Sequence, residues 1–169
     1  MKICPAVTRV ALTSPSIEGE ISRQCPTAWG GIGGKPWDDG VFCGITAIYV
    51  RSDCSVINSI ELLYKSWDST EISYTHGSSR GTILHRIELE EAEHLVSIAG
   101  YYGNAEGTGA YEVIKSLTFF TNKSKFGPIG EVGRYFSTAS SSSRSSKVVG
   151  FFGRSSFYLD AIGVHLSYF

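Results

Sequence analysis

Apolar and polar residues alternate along most of this chain in short runs separated by turn residues. A period of two is typical of strands with one buried face, and in residues 56–64 it places Ile60, Leu62 and Tyr64 on the same side. The acidic segment Glu88–His94 is too short for a helix and lies between β-patterned stretches, so we interpret it as a hairpin turn. The pattern predicts strands at residues 45–50, 56–64, 83–89, 94–101, 113–121, 147–152 and 159–168.

Glycine-rich segments recur at residues 29–34, 77–81 and 127–133. Each precedes β-patterned sequence, at intervals of about 45 to 50 residues. Three similar β units predict an all-β architecture with pseudo-threefold symmetry, although a glycine-rich chain also produces such intervals by chance. Both interpretations stay open on this evidence alone.

The length and composition indicate one domain. The chain has 169 residues, of which 42% are hydrophobic, enough for a single well-filled core. Residues 1–20 carry no clear period and contain Pro5, Pro15 and Gly19, so we expect a flexible leader followed by an ordered domain at 21–169. The serine-rich tract at 137–146 is expected to be a solvated connector.

The charge distribution argues against nucleic-acid and membrane partners. The net charge is −1, and Arg144, Lys147 and Arg154, which are dispersed near the serine tract, are interpreted as a solvated loop. No apolar run approaches the length of a membrane span, so no membrane insertion is expected. The N-terminus lacks the apolar core of a signal peptide, which favours a cytoplasmic or nucleocytoplasmic location.

The four cysteines are Cys4, Cys25, Cys43 and Cys54, and no two have the spacing of a zinc site. They are confined to the first third of the chain, so we interpret them as free thiols in a reducing compartment. A Cys4–Cys25 or a Cys43–Cys54 bridge is the alternative.

Catalytic motifs are absent from the sequence. There is no nucleophile elbow or HExxH, and the four histidines are isolated; His165, in a terminal β pattern, is expected to have a packing or surface role. A glycosidase needs a second acid beside Asp160, and the neighbouring sequence offers none. We therefore do not expect an enzyme.

Two segments carry the candidate chemistry, residues 29–38 (WGGIGGKPWD) and residues 150–166 (GFFGRSSFYLDAIGVHL). Paired glycines let a backbone approach a ligand and expose its N–H groups. A fixed carboxylate such as Asp160 accepts two hydroxyl protons while main-chain amides donate to the ligand's oxygens, which suits a polyol. The first segment leads to no helix, which argues against a phosphate loop.

These two segments resemble the opening and the closing segments of jacalin-related lectins, and residues 121–130 resemble the part between them. The resemblance covers roughly residues 22–169 and is closest to the mannose/glucose-type branch. It implies an all-β fold, β-prism I, with three four-stranded Greek-key sheets in a pseudo-threefold arrangement. It also implies mannose/glucose-containing glycans as partners and a role in plant defence or stress response.

The resemblance assigns one sugar site per chain, with no metal and no cofactor. The backbone N–H of Gly34 and those of Phe157 and Tyr158 donate to the sugar, and Asp160 accepts from two neighbouring hydroxyls. Ser156 belongs to the same loop but replaces a glycine that is usual in the family. If that position requires positive φ, serine costs about 1 kcal/mol and weakens binding.

Three further expectations follow. The second site of some relatives is not expected, because Ser55, Asn58 and Arg80 do not fit its pattern. Weak binding of single sugars favours a homo-oligomer that gains avidity from several sites. The alternative function is a protein-interaction module of the same fold with weak or lost sugar binding, which Ser156 and the serine tract favour.

Overall fold

The computed structural model describes residues 28–107, 109, 111–139 and 145–169, together with the short strand Val7–Thr8. All regular elements in this part of the chain are strands. They are β1 (Val7–Thr8), β2 (Trp29–Gly30), β3 (Lys35–Asp38), β4 (Gly44–Ser52), β5 (Ile57–Lys65), β6 (Glu71–Gly77), β7 (Ile83–Glu88), β8 (Leu95–Asn104), β9 (Glu112–Thr121), β10 (Lys125–Gly130), β11 (Arg134–Ser137), β12 (Ser146–Ser155) and β13 (Leu159–Tyr168).

The strands form three antiparallel sheets. Two have four strands, in the order β10-β9-β8-β11 in the first sheet and β6-β5-β4-β7 in the second, so that the last strand of each returns beside the first in a Greek key. The third has the order β3-β12-β13, and its fourth position is filled by β1 and β2, which both pair with β13. This arrangement confirms the expected fold of three four-stranded sheets.

The core lies where the three sheets face one another. The long strands β12 and β13 of the third sheet pack against β8, β4, β9 and β5 of the other two. Their inward positions carry large apolar side chains with no solvent exposure, and burying each of these contributes about 1.5–3 kcal/mol. Examples from the three sheets are Ile48, Ile60, Leu117, Phe119, Phe151 and Ile162.

All seven predicted strands are present, and Glu88–His94 contains a turn, as predicted. The sequence pattern missed β3, β6, β10 and β11. Most residues of these shorter edge strands are exposed, so their sequences lack the alternation that marks a buried face. In β10 the start of the third glycine-rich segment, Gly127–Pro128, lies inside the strand, at an irregularity between Phe126 and Ile129.

Two histidines and two acids connect β3 and the residue after it to neighbouring strands. The imidazole of His165 lies 2.8 Å from the Asp38 carboxylate, and that of His76 lies 2.7 Å from the carboxylate of Asp39. Asp39 also accepts a hydrogen bond of 2.8 Å from the Tyr64 hydroxyl. These contacts hold the strand that follows the first glycine-rich loop, and they agree with a packing role for His165.

The cysteine interpretation needs correction. Cys43 is disulfide-bonded, whereas Cys54 is a free, exposed thiol. The expectation that every cysteine is free is therefore wrong for Cys43, and a Cys43–Cys54 bridge is excluded. Cys4 and Cys25 lie outside the described residues, as do the predicted leader, except for Val7–Thr8, and residues 140–144 of the serine tract.

In the described part of the chain, no helix has the length and apolar character needed to cross a membrane.

Candidate functional site

The two segments that carry the candidate chemistry meet at one end of the third sheet. Lys35 of β3 pairs with Ser155 at the end of β12, and Gly30 of β2 pairs with Ala161 of β13. The Gly31 N–H also donates to the main-chain carbonyl of Asp160 at 2.8 Å. The first glycine-rich loop therefore lies directly against the β12–β13 hairpin, although about 120 residues separate them along the chain.

Gly34 is in contact distance of the Asp160 carboxylate. Its φ is +69°, and a Cβ built on it would lie 2.6 Å from Asp160 Oδ2 and against the carbonyl oxygen of Ser155. Both the left-handed conformation and the lack of space require glycine here. The main chain of the loop can thus approach the Asp160 carboxylate closely.

Asp160 is buried, and its carboxylate lies close to the Tyr111 hydroxyl but forms no hydrogen bond of good geometry with a described residue. Its relative exposure is 0%, and neither Oδ1 nor Oδ2 is paired in the described part of the chain. Desolvating a carboxylate without compensating donors costs free energy, and buried polar atoms in folded proteins are normally paired. An unpaired carboxylate beside a glycine-lined opening is therefore a natural acceptor for a ligand's hydroxyl groups.

Arg154 holds the first loop in place. Its Nε donates to the Gly33 carbonyl at 2.9 Å and its guanidinium also donates to the Gly34 carbonyl at 3.0 Å. The interpretation of Arg154 and Lys147 as part of a solvated loop is wrong, because both lie in β12 and Lys147 is half-buried. No local sequence pattern indicates that either side chain contacts the rest of the domain.

Ser156 fits its position without backbone strain. Among the described residues, the non-glycine residues with positive φ are Ser69 and Ala92, so the expected penalty at Ser156 does not arise. Its N–H donates to the Tyr158 carbonyl at 2.9 Å. Its Oγ lies 3.5 Å from the Tyr158 N–H nitrogen and 3.2 Å from the Tyr111 hydroxyl. A ligand oxygen at the same place would meet the same partners.

Tyr111 is a residue of this region that the sequence analysis did not single out. Its ring lies so close to Gly33 that a Cβ there would overlap it. Burial, and then the nearby Asp160 carboxylate, raise the pKa of the Tyr111 hydroxyl. The phenol comes from the β8–β9 connection, a segment with no motif of its own, so only the three-dimensional fold reveals its place.

Phe157 and Tyr158 differ in their surroundings. The Phe157 side chain is 60% exposed, and the Arg80 guanidinium lies 4.4 Å from the centre of its ring. The Ser78 hydroxyl donates to the Phe157 carbonyl at 2.7 Å. Tyr158 packs instead against a small apolar cluster of Val56, Ala105 and Val113. Residues of the second glycine-rich loop thus contact the hairpin that carries Asp160.

Asn58 occupies the position in the second sheet that corresponds to Asp160 in the third. A Cβ on Gly81, whose φ is +91°, would lie 2.7 Å from Asn58 Oδ1, just as one on Gly34 would meet Asp160. The Asn58 Oδ1 is likewise buried and unpaired. The pseudo-symmetric position therefore has the same backbone but carries a neutral amide in place of a carboxylate.

The structure thus brings four of the predicted residues, Gly34, Ser156, Tyr158 and Asp160, into one compact region, with the Phe157 side chain at its exposed rim. Within the described ranges, no group of three or more histidine, cysteine or acidic side chains is placed to hold a metal ion.

Comparison with known proteins agrees with this geometry. The model of the jacalin-like lectin domain matches residues 26–165. An agglutinin of Castanea crenata is 47% identical over 147 residues, covering 85% of this chain and 47% of the relative. Myrosinase-binding protein 1 of Arabidopsis thaliana is 35% identical over 156 residues, covering 91% of this chain and 32% of the relative.

Among solved structures, a crystal structure of an artocarpin–mannotriose complex aligns with a TM-score of 0.75 and 38% identity, covering 83% of this chain and 95% of that one. The chain belongs to the jacalin-like lectin family, whose members bind carbohydrate and are not enzymes. It spans about half the length of the Castanea agglutinin and about a third of the myrosinase-binding protein.

Proposed function

We propose that this chain binds mannose- or glucose-type sugars in one metal-independent site formed by Gly34, Ser156, Phe157, Tyr158 and Asp160. The observation that carries the proposal is the buried, unpaired carboxylate of Asp160 in contact distance of Gly34. The mannotriose in the solved artocarpin complex supports this class of sugar, since that protein shares the fold and 38% of the aligned sequence.

The chemistry of the site matches two neighbouring hydroxyl groups of a pyranose. Asp160 accepts both protons, so that the desolvated carboxylate gains the partners it lacks in the free chain. The N–H groups of Gly34, Phe157 and Tyr158 donate to the sugar's oxygens. These donors and acceptors belong to the protein, and the proposed recognition requires no metal.

Sugar binding requires a small opening of the region around Asp160. In the free chain the Tyr111 and Ser156 hydroxyls lie together beside the buried carboxylate. A sugar that reaches Asp160 replaces the Ser156 hydroxyl as a partner of Tyr111 and of the Tyr158 N–H. Because this exchange gains little net hydrogen bonding, we expect single-sugar affinity near the millimolar range, about −4 kcal/mol.

We propose one site per chain because the corresponding position in the second sheet lacks a charge. Asn58 offers one acceptor oxygen, whereas two sugar hydroxyls need the two oxygens of a carboxylate. Weak single sites favour an assembly in which several chains act together, so we also propose a homo-oligomer. Light scattering after size-exclusion chromatography measures its size, and a monomeric mass would oppose the proposal.

The decisive test is calorimetric titration of the protein with methyl α-mannoside and methyl α-glucoside. Asp160→Asn keeps the side-chain shape but removes the charge, and we expect binding to fall by at least about tenfold. Asp53→Asn is the matched control, since Asp53 caps a turn before β5 and belongs to the second sheet. Equal binding by wild type and Asp160→Asn would reject the site.

A second candidate function is a protein-interaction module that has the fold without sugar binding. The Ser156 hydroxyl already contacts the Tyr158 N–H and the Tyr111 hydroxyl, so these groups have a partner without a sugar, which favours this alternative. One relative is named for binding a protein, myrosinase. A glycan array with no hit, together with a reproducible protein partner in pull-down, would favour this function over the first.

A further inference from the structure

A cleft of about 870 Å³ opens at the other end of the β-prism from Asp160. Lys147, which lines it, and Ser155, beside the sugar site, lie near opposite ends of β12, about 25 Å apart for an extended strand. The cleft lies between the ends of the strands and the turns that connect them. It is lined by residues 43–46, 65–69, 89–94 and Lys147.

Positive groups gather on one side of this cleft without a counter-ion. Lys147 is half-buried, and its ammonium donates 2.7 Å to a neutral acceptor, the Cys43 carbonyl. The ion pairs formed by the described residues include neither Lys147 nor Lys65. Burial, and then the Lys65 charge, lower the pKa of Lys147; burial, and then Lys147, lower that of His94.

Three of the acidic residues that line the cleft, Asp68, Glu90 and Glu93, have identified partners elsewhere. Glu90 forms a salt bridge with Lys123, at 3.2 Å. Glu93 accepts hydrogen bonds from the Thr121 hydroxyl and from the Glu90 N–H, at 2.6 and 2.9 Å. Asp68 accepts two hydrogen bonds from Thr70 within its own turn. Among the described residues, no acidic side chain forms an ion pair with the partly desolvated Lys147 ammonium, a condition that an incoming anion relieves.

Apolar surface completes the cleft. Trp67 is 55% exposed although it lines the cavity, and the buried Ile45 and the half-buried Leu89 contribute further apolar lining. The cleft thus has both a large exposed indole and a partly desolvated cation in its lining, which suits a ligand that is flat and apolar on one side and anionic on the other. Cavities of this size with a few convergent polar groups are typical of small-molecule sites.

We propose that this cleft binds a small organic anion with a planar apolar body, of the aromatic carboxylate or sulfonate class. The anionic group lies between the ammonium groups of Lys147 and Lys65, and the ring system packs on Trp67. The proposed sugar site uses a carboxylate and main-chain amides and recognises neutral hydroxyls, so the two sites differ in chemistry and are separated by the length of the prism.

The test is calorimetric titration with 1-naphthalenesulfonate, beside 2-naphthalenemethanol as an uncharged probe of similar shape. We expect the sulfonate to bind at least about tenfold tighter than the alcohol. We expect Lys147→Met and Lys65→Met each to remove the preference for the sulfonate. We expect Trp67→Ala to weaken the binding of both probes. Lys65 is exposed, so its substitution tests the charge even if Lys147→Met fails to fold.

Lys125→Met is the matched control, an exposed lysine on β10 that is not among the residues lining the cleft, and it should bind the sulfonate as wild type does. Asp160→Asn should also leave sulfonate binding unchanged, and saturating methyl α-mannoside should not displace it. Equal affinity for the two probes, wild-type binding by Lys65→Met, or competition by the mannoside would overturn the proposal.

Discussion

The Tyr111 hydroxyl lies 3.2 Å from the Ser156 hydroxyl, and this pair lies beside the buried carboxylate of Asp160. Two loops from different sheets therefore meet where a sugar hydroxyl would bind. In the proposed complex the sugar takes over the hydrogen bonds that Ser156 forms in the free chain, so we expect Ser156 to compete with the ligand.

Removing the Ser156 hydroxyl should strengthen sugar binding. We expect Ser156→Ala to raise the affinity for methyl α-mannoside about threefold, because the Tyr158 N–H and the Tyr111 hydroxyl no longer have a protein partner to exchange. Calorimetry measures the change, and Ser155→Ala is the neighbouring control. Unchanged or weaker binding would show that Ser156 does not compete with the sugar.

Ser78 should support the site from the second glycine-rich loop. Its hydroxyl donates 2.7 Å to the Phe157 carbonyl and thereby orients the peptide plane beside the proposed donors. Loss of such a bond costs about 1 kcal/mol, so Ser78→Ala should lower sugar affinity roughly fivefold. Ser79→Ala, an exposed neighbour, is the control, and thermal melting separates lost positioning from lost folding. Equal affinities of the two variants would contradict this role.

Asn58→Asp should create a second sugar site. The substitution places two acceptor oxygens where Asn58 Oδ1 now lies unpaired beside Gly81. We expect the calorimetric stoichiometry for methyl α-mannoside to rise from one to two per chain, at comparable weak affinity. The double variant Asn58→Asp/Asp160→Asn isolates the new site. A stoichiometry that stays at one would mean that other residues of the second loop prevent binding.

Gly34 should tolerate no side chain, in contrast to Gly40. Both have positive φ, +69° and +85°, so alanine costs about 1 kcal/mol at either position. At Gly34 the added Cβ also meets Asp160 Oδ2 at 2.6 Å, whereas at Gly40 it meets nothing within 4 Å. Urea unfolding should therefore show Gly34→Ala to be less stable than Gly40→Ala by at least about 1 kcal/mol. Equal free energies of unfolding for Gly34→Ala and Gly40→Ala would show that Gly34 lies farther from Asp160 than the structure indicates.

Much of the fold was predictable because the long strands are rich in apolar side chains that enter the core. Segments such as 45–50 and 113–121 consist mostly of buried residues, and the glycine-rich loops indicate the repeat. Edge strands such as Glu71–Gly77 carry polar residues on both faces, so their sequences resemble loops. Their pairing is decided by the main chain of the neighbouring strand.

The site was predictable where main-chain geometry requires particular residues, as at Gly34, or where a charged residue interrupts an apolar strand, as at Asp160. Tyr111, Ser78 and Arg80 were missed because they reach the site from other sheets, and no local pattern records such contacts. A cost at Ser156 was expected only if its position required positive φ. Its φ is not positive, and its hydroxyl lies near the Tyr158 N–H and the Tyr111 hydroxyl.

The hydrogen bonds from Arg154 to the carbonyls of Gly33 and Gly34 connect the first glycine-rich loop to β12. The side chain that holds the first loop belongs to β12, which leads into the β12–β13 hairpin, so one strand supports both halves of the candidate site. A longer connection far from these contacts, such as an extended Ser66–Thr70 turn, does not change them. The distance between Gly34 and Arg154 along the chain therefore places little constraint on their distance in the fold.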